Sequence, residues 1–293
     1  MTLPATGAIT FSDINVEILA SATAQVSLND SLVRTTFGQA TGSVDMNTGH
    51  GKSYVVPGNS GVITSGSSYT LPARSGQKIN VIAIAGGGGG GGGSGRTYWS
   101  GFTTGAGGGG SGGAAYATNI TVTPGQSVTF SIGGNGAAGD YNMGAYAPYG
   151  SDGGGGGTTT VYVNGTAVAQ ANGGGGGSKA PTPNPGGGGG ISVGSNALSS
   201  IAGGYGADSV YTEGGGQGGV GAAGYTINTS QTSIGSIIGY GSSGSEGENQ
   251  AGGTGTVYGA GGTGGGTVQS DRHNPARMNA GAGSAGAVYI WWF

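Results

Sequence analysis

Cysteine is absent from this chain, and charge is nearly so: only 6% of its 293 residues are Asp, Glu, Lys or Arg. The first absence excludes disulfides, thiol catalysis, zinc fingers and iron–sulfur ligation. The second bears on order. Ordinary chains carry about 25% charged residues, and disordered segments stay dispersed largely through net charge. Here the formal net charge is −3, so an ordered chain is expected. Eight basic residues against eleven acidic ones, scattered along the sequence, leave no electrostatic footprint for nucleic acid. Long apolar runs are missing too. No stretch approaches the ~20 residues of a membrane span, and residues 1–7 lack the basic region and apolar core of a secretory leader. Neither membrane insertion nor a leader is expected. Histidine occurs twice, at His50 and His273, which supports no metal cluster.

What the chain has instead is glycine, 77 residues of it against 9 prolines. Without a strict G-X-Y period this is not collagen. Residues 79–93 read INVIAIAGGGGGGGG: seven residues with the β-branched content of a buried strand, then eight consecutive glycines. The same join recurs on a smaller scale, with runs at 107–110, 153–157, 173–177 and 186–190 and broken tracts around Gly214 and Gly264.

Residues 1–56 are of a different character. Ser12 is placed to cap a helix from Asp13, with Phe11 and Val16 as a hydrophobic staple. Asn29 is placed to cap a second helix from Asp30, with Leu28 and Val33 as its staple and Gly38 as its stop. So short a segment, with few large apolar side chains, is marginal alone. It is expected to bury Phe11, Ile14, Leu28, Val33 and Phe37 against a partner or its own copies, as a docking module. Residues 57–62 read as a turn-rich hinge, and 63–293 as one glycine-rich domain.

Three further strand signals stand out. Ile120 and Val122 alternate into Val128, Phe130 and Ile132 across Pro124-Gly125-Gln126, which reads as a hairpin. Residues 161–168 centre on Asn164-Gly165, a strong short hairpin signal. Residues 288–293 are apolar on both faces and should lie inside. The fold expected is mainly β plus polyglycine II helices: a small helical docking module, then a β-sandwich-like domain with packed glycine helices. A polyproline-like helix has three residues per turn and ~3.1 Å rise, with every backbone donor and acceptor pointing outward. Eight residues span ~25 Å on that rise. Such helices satisfy one another side by side only where hydrogen alone occupies the contact. The plain alternative is flexible linker; recurrence of one short run between good strands favours the lattice.

The segments 7–15 (GAITFSDIN), 27–34 (SLNDSLVR) and 49–53 (GHGKS) resemble the N-terminal module of many tailed-bacteriophage tail and fibre proteins. Residues 65–76 (SGSSYTLPARSG) and 286–293 (GAVYIWWF) are similar to the opening and closing of the glycine-rich domain of phage tail fibres. These resemblances imply a virion protein of the tail or fibre, made in the host cytoplasm. Residues 1–56 would bind other tail or fibre proteins, and the glycine-rich domain would resemble a fibre-tip adhesin for a host surface protein or polysaccharide. A purely structural tail, baseplate or head-fibre role is the alternative, and a polyglycine-helix ice-binding protein a remoter one.

No catalytic constellation survives inspection. Gly51-Lys52-Ser53 lacks the earlier glycine of a phosphate loop: Met46 stands there. Asp140, Asp152, Glu246 and Glu248 read as solvating carboxylates. No enzyme, cofactor or metal is expected. The large side chains instead sit between glycine runs: Tyr98, Trp99 and Phe102; Tyr141, Tyr146 and Tyr149; Arg272, His273 and Arg277. Tyr, Trp and Arg dominate binding hot spots, which makes these nine the candidate receptor-binding residues. The alternative for Trp99 and Phe102 is a small satellite core.

Overall fold

A computed structural model describes residues 3–18, 25–51, 58–72, 78–93, 106–123, 125–140, 150–179, 186–188, 191–193, 196–198, 221–227, 238–240, 257–265 and 280–293. Near the N-terminus lie α1 (Phe11–Glu17), α2 (Ser31–Phe37) and a 3-10 turn (Met46–Gly49). The cap of α1 is Thr10 rather than Ser12. Its hydroxyl accepts from Asp13 N, and the Asp13 carboxylate accepts from Thr10 N, a reciprocal box satisfying two orphan donors. Moving the cap by two residues makes Ile9 and Ile14 the staple pair. The α2 cap is Asp30 rather than Asn29, and its carboxylate accepts from Ser27 N instead of capping the helix. Gly38 ends α2 as expected, left-handed at φ 69°.

Ile14, Val33 and Phe37 are buried with Leu3 and Ile18 in one small cluster, and Leu28, Val26 and Ile9 pack against it. Phe37 explains Gly49: a Cβ there would run into the Phe37 ring. The Arg34 guanidinium donates to Gln39 O, Asn29 Oδ1 and Gly42 O, tying the end of α2 to the loop beyond it.

The Thr10 hydrogen bonds hold the Asp13 carboxyl below its ordinary value of 3.8. A lowered folded-state value contributes stability above the unfolded pKa, lost as pH falls below it through the folded one. In Thr10→Val the Asp13 midpoint, followed by carboxyl-carbon NMR, should move up. An unchanged midpoint would refute the cap as its cause.

The remainder is mainly β. One antiparallel sheet has the order β1 (Gly58–Ile63), β12 (Ala287–Trp292), β3 (Lys78–Ile84), β4 (Ala114–Thr121), β9 (Asn196–Leu198). A second has the order β2 (Ser68–Thr70), β5 (Ser127–Ser131), β6 (Thr159–Val163), β7 (Thr166–Ala171), β8 (Ile191–Val193). A two-stranded piece pairs β10 (Tyr225–Ile227) with β11 (Ile238–Tyr240). The strand expected at 79–85 is β3, and its side chains alternate between two cores. Ile79, Val81 and Ala83 join Val128, Phe130 and Val161 of the second sheet, whereas Ile82 and Ile84 meet Tyr225, Tyr289 and Trp291. The terminal strand β12 lies inside, between β1 and β3.

Two expectations for the β region also need correction. Residues 58–63, most of them assigned to a hinge, are β1, paired with β12. The hairpin expected at Pro124-Gly125 does not form: β4 pairs β3 in the first sheet, and β5 pairs β2 and β6 in the second. Asn119 takes φ 56° and donates its N–H to Asn80 Oδ1, opposite an irregularity in the β3–β4 register. Leu71 N and Gly125 N then bond Gln126 O and Pro72 O, so the turn hands the chain to the other sheet. The Asn164-Gly165 hairpin does form, with φ 52° and 74°.

From these strands the glycine tracts run out and back, and their hydrogen bonds have a period of three. Gly86, Gly89 and Gly92 donate to Gly157, Gly154 and Ser151. Gly87 and Gly90 donate to Ser284 and Gly281, and Gly88 and Gly91 to Gly110 and Gly107. In return Gly136 and Gly139 donate to Gly87 and Gly90, Gly174 and Gly177 to Gly86 and Gly89, and Gly262 and Gly265 to Gly88 and Gly91. Descending partner numbers mark three antiparallel neighbours, and ascending ones three parallel neighbours. The tract 86–93 is thus surrounded by six others, and all eight of its glycines are buried.

The six also bond one another around the ring: 133–140 to 150–157, then 173–178, 106–113, 259–265 and 280–286, which closes back on 133–140. Outside it, 186–188 and 221–224 bond the 106–113 tract and its neighbours. Where sheets become tracts, the buried Thr159 hydroxyl accepts from Gly133 N and donates to Ile84 O.

Candidate functional site

The tracts have a common polarity. Those leaving the sheets, 86–93, 133–140, 173–178 and 259–265, all run parallel, and 106–113, 150–157 and 280–286 run back. Their far ends therefore meet at one pole. There Ser151 N donates to Asp140 O, and Asp140 N to Ser151 Oγ, both at 2.8 Å. Lys179 N donates to Asp152 Oδ1 at 2.8 Å, so a carboxylate read as merely solvating joins two tracts. Gly107 N donates to Ser178 O, Ala106 N to Gly265 O, and Ala280 N to Gly139 O. The chain enters the sheets at Gly58, opposite Trp292, at the end of β12 away from the tracts.

All nine receptor candidates, Tyr98, Trp99, Phe102, Tyr141, Tyr146, Tyr149, Arg272, His273 and Arg277, lie outside the described residues. What the structure fixes is where their segments attach. Ala106, Asp140, Lys179, Gly265 and Ala280, which border the segments 94–105, 141–149, 180–185 and 266–279, all belong to the hydrogen-bonded set just given. Of the five docking candidates, Ile14, Val33 and Phe37 are buried and Leu28 is half-buried in the module's own cluster, while Phe11 is 52% exposed.

Residues that weld the lattice, Thr159, Ser284 and Asp152, carried no sequence signal of their own. Ser284 Oγ accepts from Ala260 N and donates to Val257 O. A signal for the lattice was present in the tract 133–140: its glycines at 133, 136 and 139 are buried, and Gly134, Asn135 and Ala137 between them are exposed. Glycine every third residue marks the face turned to the centre. Among the described residues no group of three or more His, Cys, Asp or Glu could hold a metal ion, and no helix is long and apolar enough to cross a membrane. The chain matches no model of a known protein family, and no curated protein matches it.

Proposed function

We propose that the glycine tracts are polyglycine II helices standing on a β-sandwich-like base, and that the protein is a tailed-phage virion component of the tail or tail fibre. The three-residue hydrogen-bond period with six neighbours supports the first part, because a threefold helix with outward donors packs in that way. The second part rests on the resemblances in sequence, and one observation supports the adhesin reading in particular. The four inserts 94–105, 141–149, 180–185 and 266–279 each join two paired glycine tracts at the same pole, remote from the point where the chain enters the sheets. A hydrogen-bonded bundle with loops gathered at its tip holds variable residues on a rigid support, the arrangement that lets binding loops change without disturbing a scaffold. On this reading Tyr98, Trp99, Phe102, Tyr141, Tyr146, Tyr149, Arg272, His273 and Arg277 contact a host surface protein or polysaccharide, and residues 1–56 attach the chain to other tail or fibre proteins.

Exchange of residues 94–105, 141–149 and 266–279 between related particles should transfer host range, measured as adsorption to two hosts. Particles whose segments are shortened and that still adsorb and infect normally would leave the purely structural role. Thermal hysteresis of the purified chain would favour the ice-binding one.

A further inference from the structure

The N-terminal module buries most of its apolar side chains in itself, so what it offers a partner is what remains outside. Two of the three exposed large apolar residues among those described, Phe11 and Leu32, belong to it. Phe11 borders a cleft of about 510 Å³, lined also by Gln25, Val26, Ser27 and Asp30. Phe11 and Val26 give the cleft an apolar lining, and Asp30 gives it a carboxylate. Asp30 is exposed, with one carboxylate oxygen accepting from Ser27 N.

Most of the net charge of the chain falls in the same module. Residues 1–56 hold Asp13, Glu17, Asp30 and Asp45 against Arg34 and Lys52, a net of −2, whereas residues 57–293 carry seven acidic and six basic residues, a net of −1. Arg34 is committed to Gln39 O, Asn29 Oδ1 and Gly42 O. Glu17 is buried, and Asp30 is the exposed carboxylate among the residues that line the cleft, so complementarity selects a partner of opposite sign there.

We infer that this cleft is the module's docking site for a basic segment of another virion protein, with an aliphatic side chain entering over Phe11 and Val26 and an adjacent Lys or Arg meeting Asp30. This rests on the virion reading above and names the chemistry of the attachment partner. A cation at the rim steers encounter and sets register, and the apolar side chain in the cleft supplies the anchor.

The test uses particles assembled without this protein and the purified full chain, with incorporation measured over a concentration series. Wild-type incorporation should weaken at least about tenfold between roughly 0.05 and 0.5 M salt, as screening shortens the reach of the rim charge. Phe11→Ser should weaken it about tenfold at low salt. Asp30→Asn should flatten the salt dependence, and Asp30→Lys should weaken uptake further, by repulsion. Far-UV spectra establish that each variant is folded, and should Phe11→Ser fail to fold, the Asp30 pair alone decides. Uptake of Phe11→Ser at wild-type affinity, or wild-type uptake indifferent to salt, would overturn the proposal while leaving the virion reading standing. Dimerisation of the free chain that Phe11→Ser abolishes would instead assign the cleft to a second copy. If particles do not take up even the wild-type chain, the virion reading falls first and this inference with it.

Discussion

Gly89→Ala should unfold the glycine bundle, costing about 4 kcal/mol or more, whereas Gly134→Ala should change stability by less than about 1 kcal/mol. Both replace a glycine in a glycine tract by the smallest side chain. At Gly89 a Cβ would stand within 3.0 Å of the carbonyl of Ala137 and meet Ala138 N. The obstructing atoms are backbone, so no rotamer change relieves the clash. Gly89 also donates to Gly154 O and accepts from Gly177 N, and a shift large enough to admit the methyl group would break those bonds inside a buried lattice. Overpacking usually costs about 1–3 kcal/mol; lost buried hydrogen bonds, about 1–3 kcal/mol each, add to it. At Gly134 nothing lies within 4 Å of the added Cβ, and the alanine narrows the unfolded ensemble, a change worth about 0.4–1 kcal/mol in its favour. Thermal melting of the two variants side by side is the measurement. Equal melting temperatures would mean that the tracts behave as linker.

Trp292→Ala should cost about 3–5 kcal/mol and loosen the two sheets from each other. Trp292 lies in β12 of the first sheet and is 6% exposed. Its ring stacks on Tyr69 of the second sheet, with centroids 6.0 Å apart and planes at 25°. It also fills the space over Gly58, where a Cβ would come within 3.0 Å of the indole. The substitution removes a cross-sheet contact and leaves a cavity in the core that Trp292 shares with Ile79, Val128 and Phe130. Denaturant unfolding should show the midpoint falling with the slope unchanged. Trp292→Phe, which keeps an aromatic ring against Tyr69, should recover most of the loss. If both variants unfold at the wild-type midpoint, the sheets are held by other contacts.

Much of the β architecture was legible in residue order. The run at 79–85 could be recognised as a strand because a short apolar β-branched segment has few other uses. The Asn164-Gly165 turn was equally plain, since only a turn of that hand demands positive φ at both positions. Pro124-Gly125 looked like the same signal and was not. Alternation reports which side chains point inward, and Val122, Val128 and Phe130 are indeed buried. It does not report which strand lies alongside. At Asn119, whose backbone is left-handed, the register only shifts, and Ile120 and Thr121 still pair Ile79 and Lys78 of β3, so β4 stays in the first sheet to its end. Helix caps show the same limit: Ser12 and Thr10 are both competent, and the choice between them was made by the Asp13 carboxylate three residues beyond Thr10.

By itself, the sequence determined that this chain has almost no charge to solvate an open backbone, and that its glycine falls into runs between strands. Those facts follow from composition, and they require the backbone groups of the runs to find partners. Only the tertiary structure decided which partners. A glycine has no side chain by which residue order could reveal its neighbours, so 86–93 and 173–177 look alike in the sequence. One is the centre of a ring of six, and the other is part of that ring. The same holds for the candidate site. The aromatic and arginine-rich inserts were visible as segments, but the parallel and antiparallel registers of hydrogen bonds bring their attachment points to one pole.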